Sequence, residues 1–159
     1  MGQRRALRVA SRDTASATLS AAKPGRPSGV LGVLGHVCVV SLIWKAHLTG
    51  QEHGFKARAF EHSPVLAELQ NRQSQVDRWY VEFAASQSAE SLTKDIRFTF
   101  VDGGPGVMAM DEMLLHVVNH GTYHRGYVAA MLYDFGVRLP TMDLPVYVRN
   151  SRAPDGAQL

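Results

Sequence analysis

The segment His-Val-Val-Asn-His-Gly-Thr-Tyr-His, residues 116–124, sets three histidines at intervals of four: His116, His120 and His124. On a helix, residues four apart hold their side chains roughly 6 Å from one another, so one adjacent pair can converge on a single cation through bonds of about 2 Å. His116 and His124 are two such steps apart, about 12 Å along a helix axis. The stripe therefore offers one ligating pair, His116 with His120 or His120 with His124, and needs a donor from another element. His36 is the natural further donor, because it stands in an otherwise apolar stretch where an unpaired imidazole would be costly to bury. His47 falls on nearly the same side of that stretch but about 16 Å farther along, out of reach. His53 and His62 lie in a polar connection and read as surface residues.

The chemistry open to such a set depends on what accompanies it. The metalloprotease pattern places a glutamate directly after the first histidine as general base, whereas Gly121 follows His120. Activation of water would need a base from elsewhere, and Asp111, Glu112 and Asp134 are the nearby choices. A thiol substrate is different, because coordination itself deprotonates it and produces a nucleophile without a general base. Against any metal site stands a plainer reading: paired histidines arise on helix faces by chance, and a buried imidazole often serves only as a hydrogen-bonding core residue.

Helices must position these side chains. Residues 28–48 read as one helix, capped by Ser28, with Val30, Leu31, Leu34, Val37, Cys38, Leu42 and Ala46 on an apolar side and Gly50 past its end. Val33, Val40 and Ile43 widen that side, so the helix is buried on much of its circumference. A second helix takes Ser63 as its cap and Pro64 as its first residue; Val65, Leu66, Leu69, Val76, Trp79, Tyr80 and Phe83 form its apolar stripe, and Gln70 to Gln75 face water. Ile96, Phe98 and Phe100 then alternate with Arg97 and Thr99, and the Asp-Gly-Gly-Pro-Gly turn at 102–106 leads to a return strand from Val107 to Met110. No Gly-Lys-Ser/Thr follows, so these glycines do not cradle a phosphate.

The clearest helix runs from Asp111 to about Phe135. It has acidic residues in its first turn, apolar Leu114, Leu115, Val117, Val118, Val128, Met131 and Leu132, and Gly136 as its stop. Arg125, beside the stripe, reads either as a holder of an anionic substrate or as a structural partner; Gly126 reads as a point of close helix contact, and Tyr123 as packing. Residues 137–150 form an extended or short helical cover, and 151–159 a flexible tail.

At 159 residues, 45% apolar and 19% charged, the chain is sized for one domain with a real core. Its longest apolar run, Val37 to Trp44, contains Ser41 and is too short to cross a membrane, so it reads as core. The single cysteine, Cys38, excludes an internal disulfide framework, fits a reducing compartment and reads as buried and inert. The net charge of +3 is uneven: residues 1–27 carry +5, from Arg4, Arg5, Arg8, Arg12, Lys23 and Arg26 against Asp13. The remainder carries −2, so no nucleic-acid partner is expected of the body. The basic leader at 1–27 reads as an atypical first helix, a disordered extension or a targeting segment, joined through the Pro/Gly/Ser-rich stretch 21–29.

Two stretches carry a resemblance. Residues 116–150, HVVNHGTYHRGYVAAMLYDFGVRLPTMDLPVYVRN, closely resemble the C-terminal signature of the DinB family (DinB/YfiT-like), and residues 32–50, GVLGHVCVVSLIWKAHLTG, resemble its earlier histidine helix. The resemblance spans residues 28–150 and implies an all-α, antiparallel four-helix bundle, here with a small β-hairpin before the last long helix. It also implies a divalent metal, zinc or nickel, on His36, His120 and His124, which decides between the two pairs, with His116 one turn outside. Implied too are a low-molecular-weight thiol or another small molecule as partner, no membrane, a cytoplasmic location and a homodimer. The function implied is a metal-dependent thiol S-transferase or related enzyme acting on a small electrophile. The alternatives are a non-enzymatic metal-binding or stress-response protein and a metal-dependent hydrolase. No catalytic side chain and no organic cofactor is assigned. The chain departs from the family at Ser41, where an aspartate is common, and in the leader, which lacks the usual pattern of the first helix.

Overall fold

The structure is a computed structural model that describes residues 29–62 and 64–152. The density of apolar residues from Val30 onward builds its central element, α1 (Val30–Thr49), of whose 20 residues 14 are buried. Gly29 caps it with extended backbone and no side-chain hydrogen bond. Gly50 ends it in the left-handed region, φ 65°, where a residue without Cβ is unstrained. By length and composition α1 could cross a membrane, yet 72% of its most apolar window is buried inside the protein, so it is a core helix.

α2 (Leu66–Ser86) and, after the one-turn α3 (Ala89–Leu92), the strands β1 (Asp95–Thr99) and β2 (Pro105–Ala109) lead into α4 (Met110–Tyr133); α5 (Leu144–Arg152) closes the described chain. The strands pair antiparallel, Ile96 opposite Met108 and Phe98 opposite Gly106. Gly106 gives the Phe98 ring room to lie across the hairpin. In the turn Gly103 takes φ 89°, and the Phe100 N–H donates to the Gly104 carbonyl at 2.7 Å. The Glu112 carboxylate accepts the Ala109 N–H at 2.9 Å and so fixes the start of α4.

α1 packs against both α2 and α4. Two buried clusters show how. Val30, Leu31, Leu34 and Cys38 meet Leu69 of α2 and Val128, Met131 and Leu132 of α4. Val40, Trp44 and Leu48 meet Met113 of α4 and Phe98 of the hairpin. The start of α1 thus lies beside the end of α4, so the two run antiparallel, and His36 comes level with the middle of α4.

Several expectations need correction. Among the described residues there are three long helices, two short ones and the hairpin; the fourth long helix of the expected bundle is not among them. The leader, Ser28, Ser63 and the tail from 153 lie outside the described residues, whereas Ser151 and Arg152 belong to α5. Pro64 is not helical: Val65 is the cap, 63% exposed, while Pro64 packs on Gly35. Gln73 does not face water but is 2% exposed, because its amide turns inward and donates to Asp77 Oδ1 at 2.7 Å. On α4, Leu115 and Val118 are 59% and 62% exposed, and Met113 takes the core place, because the buried line runs through Met113, Gly121, Val128 and Met131. Of the expected cover at 137–150, Val137 and Leu139 pack on the first cluster, while no residue of α5 is fully buried. β2 starts at Pro105, two residues before the expected Val107, because pairing begins directly after the turn.

Candidate metal centre

α1 and α4 bring His36, His120 and His124 together, with one ligand atom of each lying within 4.8 Å of the others. His36 Nε2 stands 3.1 Å from His120 Nε2. Two nitrogens bound to one tetrahedral ion at about 2.0–2.1 Å are about 3.3 Å apart, so this spacing suits a shared ion. His124 Nδ1 is buried without a hydrogen-bond partner, a costly arrangement in an interior unless something accepts its lone pair.

The peptide carbonyl of Arg58, in the connection between α1 and α2, accepts from His36 Nδ1 at 2.5 Å. That bond places the His36 proton on Nδ1 and leaves the Nε2 lone pair pointing inward, the usual outer support of a metal-binding imidazole. The connection is itself pinned. Phe60 and Pro64 pack where a side chain on Gly35 would sit, at 3.4 and 3.3 Å, and the Arg72 guanidinium lies 5.7 Å above the Phe60 ring.

Burial and neighbouring groups keep His120 and His124 neutral. Burial, then the neighbouring His124, His36 and His116 and the Arg58 charge, pull His120 down from 6.5 to about 4. Burial and His36 lower His124 in the same direction. Neutral imidazole is the metal-ligating form, so the site spends little on displacing protons at neutral pH.

The remaining candidates fall elsewhere. His116 is one turn from His120, with ring centroids 5.6 Å apart, and packs on Trp44 at 4.7 Å. His47 contacts Trp44, Phe98 and His53, and burial and then the nearby His53 lower its pKa. His53 is not an ordinary surface residue: its Nδ1 accepts the Phe55 N–H at 3.0 Å. His62 is exposed. Of the proposed bases, Asp111 accepts its neighbour's N–H, Glu112 caps Ala109, and Asp134 sits at the end of α4. Arg125 donates to Thr122 Oγ1 at 2.6 Å; burial lowers its pKa and Asp77 opposes that shift. Tyr123 is 74% exposed rather than packed, its ring edge against His124. Gly126 makes no close helix contact, since a Cβ there would meet nothing within 4 Å. Ser41 donates to the Val37 carbonyl at 2.8 Å, within its own helix. Cys38 is fully buried, and burial pushes its thiol up to about 11, the inert state expected of it.

Sequence reasoning missed Arg58 and Gln73. A backbone acceptor leaves no trace in side-chain type, so nothing in the sequence marks the Arg58 carbonyl. Gln73 could have been found from Asp77 four residues on, a spacing at which the two side chains meet on a helix.

Comparison with known proteins agrees with this geometry. The model of the DinB family matches residues 16–156. Protein DinB of Bacillus subtilis (strain 168) is 29% identical over 122 residues, covering 73% of this chain and 70% of that protein. The crystal structure of a DinB-like protein from Bacillus cereus ATCC 10987 superposes with a TM-score of 0.61 at 19% identity, over 88% of this chain and 89% of that one. At that identity the likeness is one of fold.

Proposed function

Because the chain belongs to the DinB family, we propose that His36, His120 and His124 hold one divalent ion, zinc or nickel, and that the protein is a metal-dependent enzyme joining a small thiol to a small electrophile. The observation that carries the reading is the convergence itself: ligand atoms of His36, His120 and His124 lie within 4.8 Å of one another, and two imidazole nitrogens are 3.1 Å apart. A divalent metal bound there would lower the pKa of a coordinated thiol, so that a thiolate exists at neutral pH.

The chain's own residues prepare for this in three ways. The Arg58 carbonyl orients His36. Burial and neighbouring charges keep His120 and His124 unprotonated. Three protein donors leave a fourth tetrahedral position for a substrate atom. Thiol chemistry is favoured over hydrolysis because coordination alone turns a thiol into a nucleophile, without a general base.

The same reading takes the whole chain as the family's four-helix bundle, supported by the packing of α1 on α2 and α4 and by the 88% coverage of the DinB-like structure. It places the protein in the cytoplasm, which its reduced Cys38 suits, and pairs it as a homodimer, for which the exposed Leu115, Val118 and Tyr133 of α4 offer apolar surface.

The test is metal content by elemental analysis of untagged protein, wild type against His36→Ala and His124→Ala. Near one metal per chain in the wild type and little in either variant supports the centre; no uptake of added zinc or nickel ends the enzymatic reading. Perturbation of the bound ion's spectrum by exogenous thiol or azide then separates an enzyme from a closed structural site, which would not respond.

A further inference from the structure

The three-histidine centre has a companion residue that its own helices do not supply. Arg58 stands in the connection between α1 and α2, and its peptide carbonyl is 2.5 Å from His36 Nδ1, so its backbone lies in direct contact with the centre. The side chain is exposed and forms no ion pair among the described residues. Its positive charge acts on His120 in the same direction as the neighbouring His124, His36 and His116, against protonation. Three neutral imidazoles around a divalent ion leave the full charge of the ion uncompensated. The Arg58 charge adds to that of the ion and favours an anionic ligand group on this side of the centre.

We propose that Arg58 is a specificity-determining residue of this site, selecting a small thiol or electrophile that carries a carboxylate and holding that carboxylate while the reacting atom occupies the fourth position. The inference rests on the metal reading above. A guanidinium presents a planar fork matched to a carboxylate, and an Arg without an ion pair gives up no existing partner to bind one. Phe60 and Pro64 packed on Gly35, together with the Arg58 carbonyl on His36 Nδ1, fix the Arg58 backbone one imidazole ring away from the point where the three histidines converge. Arg125 is the other cation beside the histidines, but its guanidinium is engaged with Thr122 on its own helix.

The probes are mercaptoacetate and 2-mercaptoethanol, which offer the same coordinating sulfur with and without a carboxylate. Each is titrated into the full-length, cobalt-loaded protein and followed by the thiolate-to-cobalt absorption. Arg58→Gln retains the peptide carbonyl that holds His36, so it is expected to keep its cobalt and its affinity for 2-mercaptoethanol. The ratio of the two affinities should shift about tenfold against mercaptoacetate in Arg58→Gln, with Arg58→Lys in between. A ratio unchanged in Arg58→Gln, with cobalt bound in both proteins, overturns this inference and leaves the metal centre standing. Failure of the wild type to bind cobalt overturns both, and is read before any thiol is added.

Discussion

The molecule holds two groups of histidines that come within one helical turn of each other on α4, at His116 and His120, and they do opposite things. In the first, the rings of His36, His120 and His124 lie 4.5–5.0 Å apart with nitrogens turned toward one another. In the second, His47 and His116 pack on the Trp44 ring at 5.5 and 4.7 Å, and His53 meets His47 edge-on. His53 Nδ1 is occupied by the Phe55 N–H, which places its own proton on Nε2 and removes the lone pair a metal would take there. Local abundance of histidine therefore does not make a site. What matters is whether ring nitrogens converge on one another, and here the Arg58 carbonyl favours that by accepting the hydrogen bond from His36 Nδ1 on the far side of the ring, which turns Nε2 toward His120.

The sharpest test of this contrast is deletion within each group. His120→Ala should take the metal content from near one per chain to near zero, because it removes the nitrogen that faces His36 across 3.1 Å. His47→Ala should leave metal content unchanged by the same elemental analysis. Loss of metal in His47→Ala would erase the distinction. Trp44→Ala should expose the structural character of the second group: the ring is 7% exposed and is touched by Phe98, His47 and His116. Its removal should cost about 3–5 kcal/mol in urea unfolding, while folded protein at low temperature still takes up metal.

A pH series tests the first group more finely. His120 binds its proton in the unfolded chain near 6.5 but in the native protein only near 4. Between those values the unfolded state carries the extra proton, so acid favours unfolding. In the metal-free protein this contribution is absent above about pH 6.5, grows as the pH falls, and is complete below about pH 4. The midpoint of thermal unfolding should fall across that window, and more weakly in His120→Phe. An equal fall in both proteins would place the acid sensitivity on other groups.

How much of this was legible beforehand follows from the kind of signal each feature leaves. That His36 reaches His120 and His124 was readable, because helical periodicity fixes who shares a face and an imidazole in an apolar helix asks for a partner. The choice of His124 over His116 was not readable from spacing, since both stand four residues from His120; it came with the resemblance. α4 carries apolar residues on both sides, so periodicity could not say that Met113 would be buried and Leu115 and Val118 exposed. Pro64 looked like the start of a helix, but the space above Gly35 claimed it instead. The hairpin, the Gly50 and Gly136 stops and the burial of α1 were legible, because glycine at a left-handed position and strict alternation have few other uses.

The smallest effect lies at the edge of the first group. Gly126 is two residues from His124, exposed, and faces open space where close helix packing had been expected. In a helix interior the extra backbone freedom of glycine is a cost with nothing here to offset it, so Gly126→Ala should stabilise the protein by about 0.5–1 kcal/mol in urea unfolding. Metal content should not change. Gly35→Ala is the informative counterpart, because its Cβ would press on Pro64 at 3.3 Å and Phe60 at 3.4 Å, the residues that hold the Arg58 connection over His36. If Gly35→Ala weakens metal retention while Gly126→Ala does not, the centre depends on the connection that orients His36. Equal retention in both would mean that α1 and α4 align the three rings without its help.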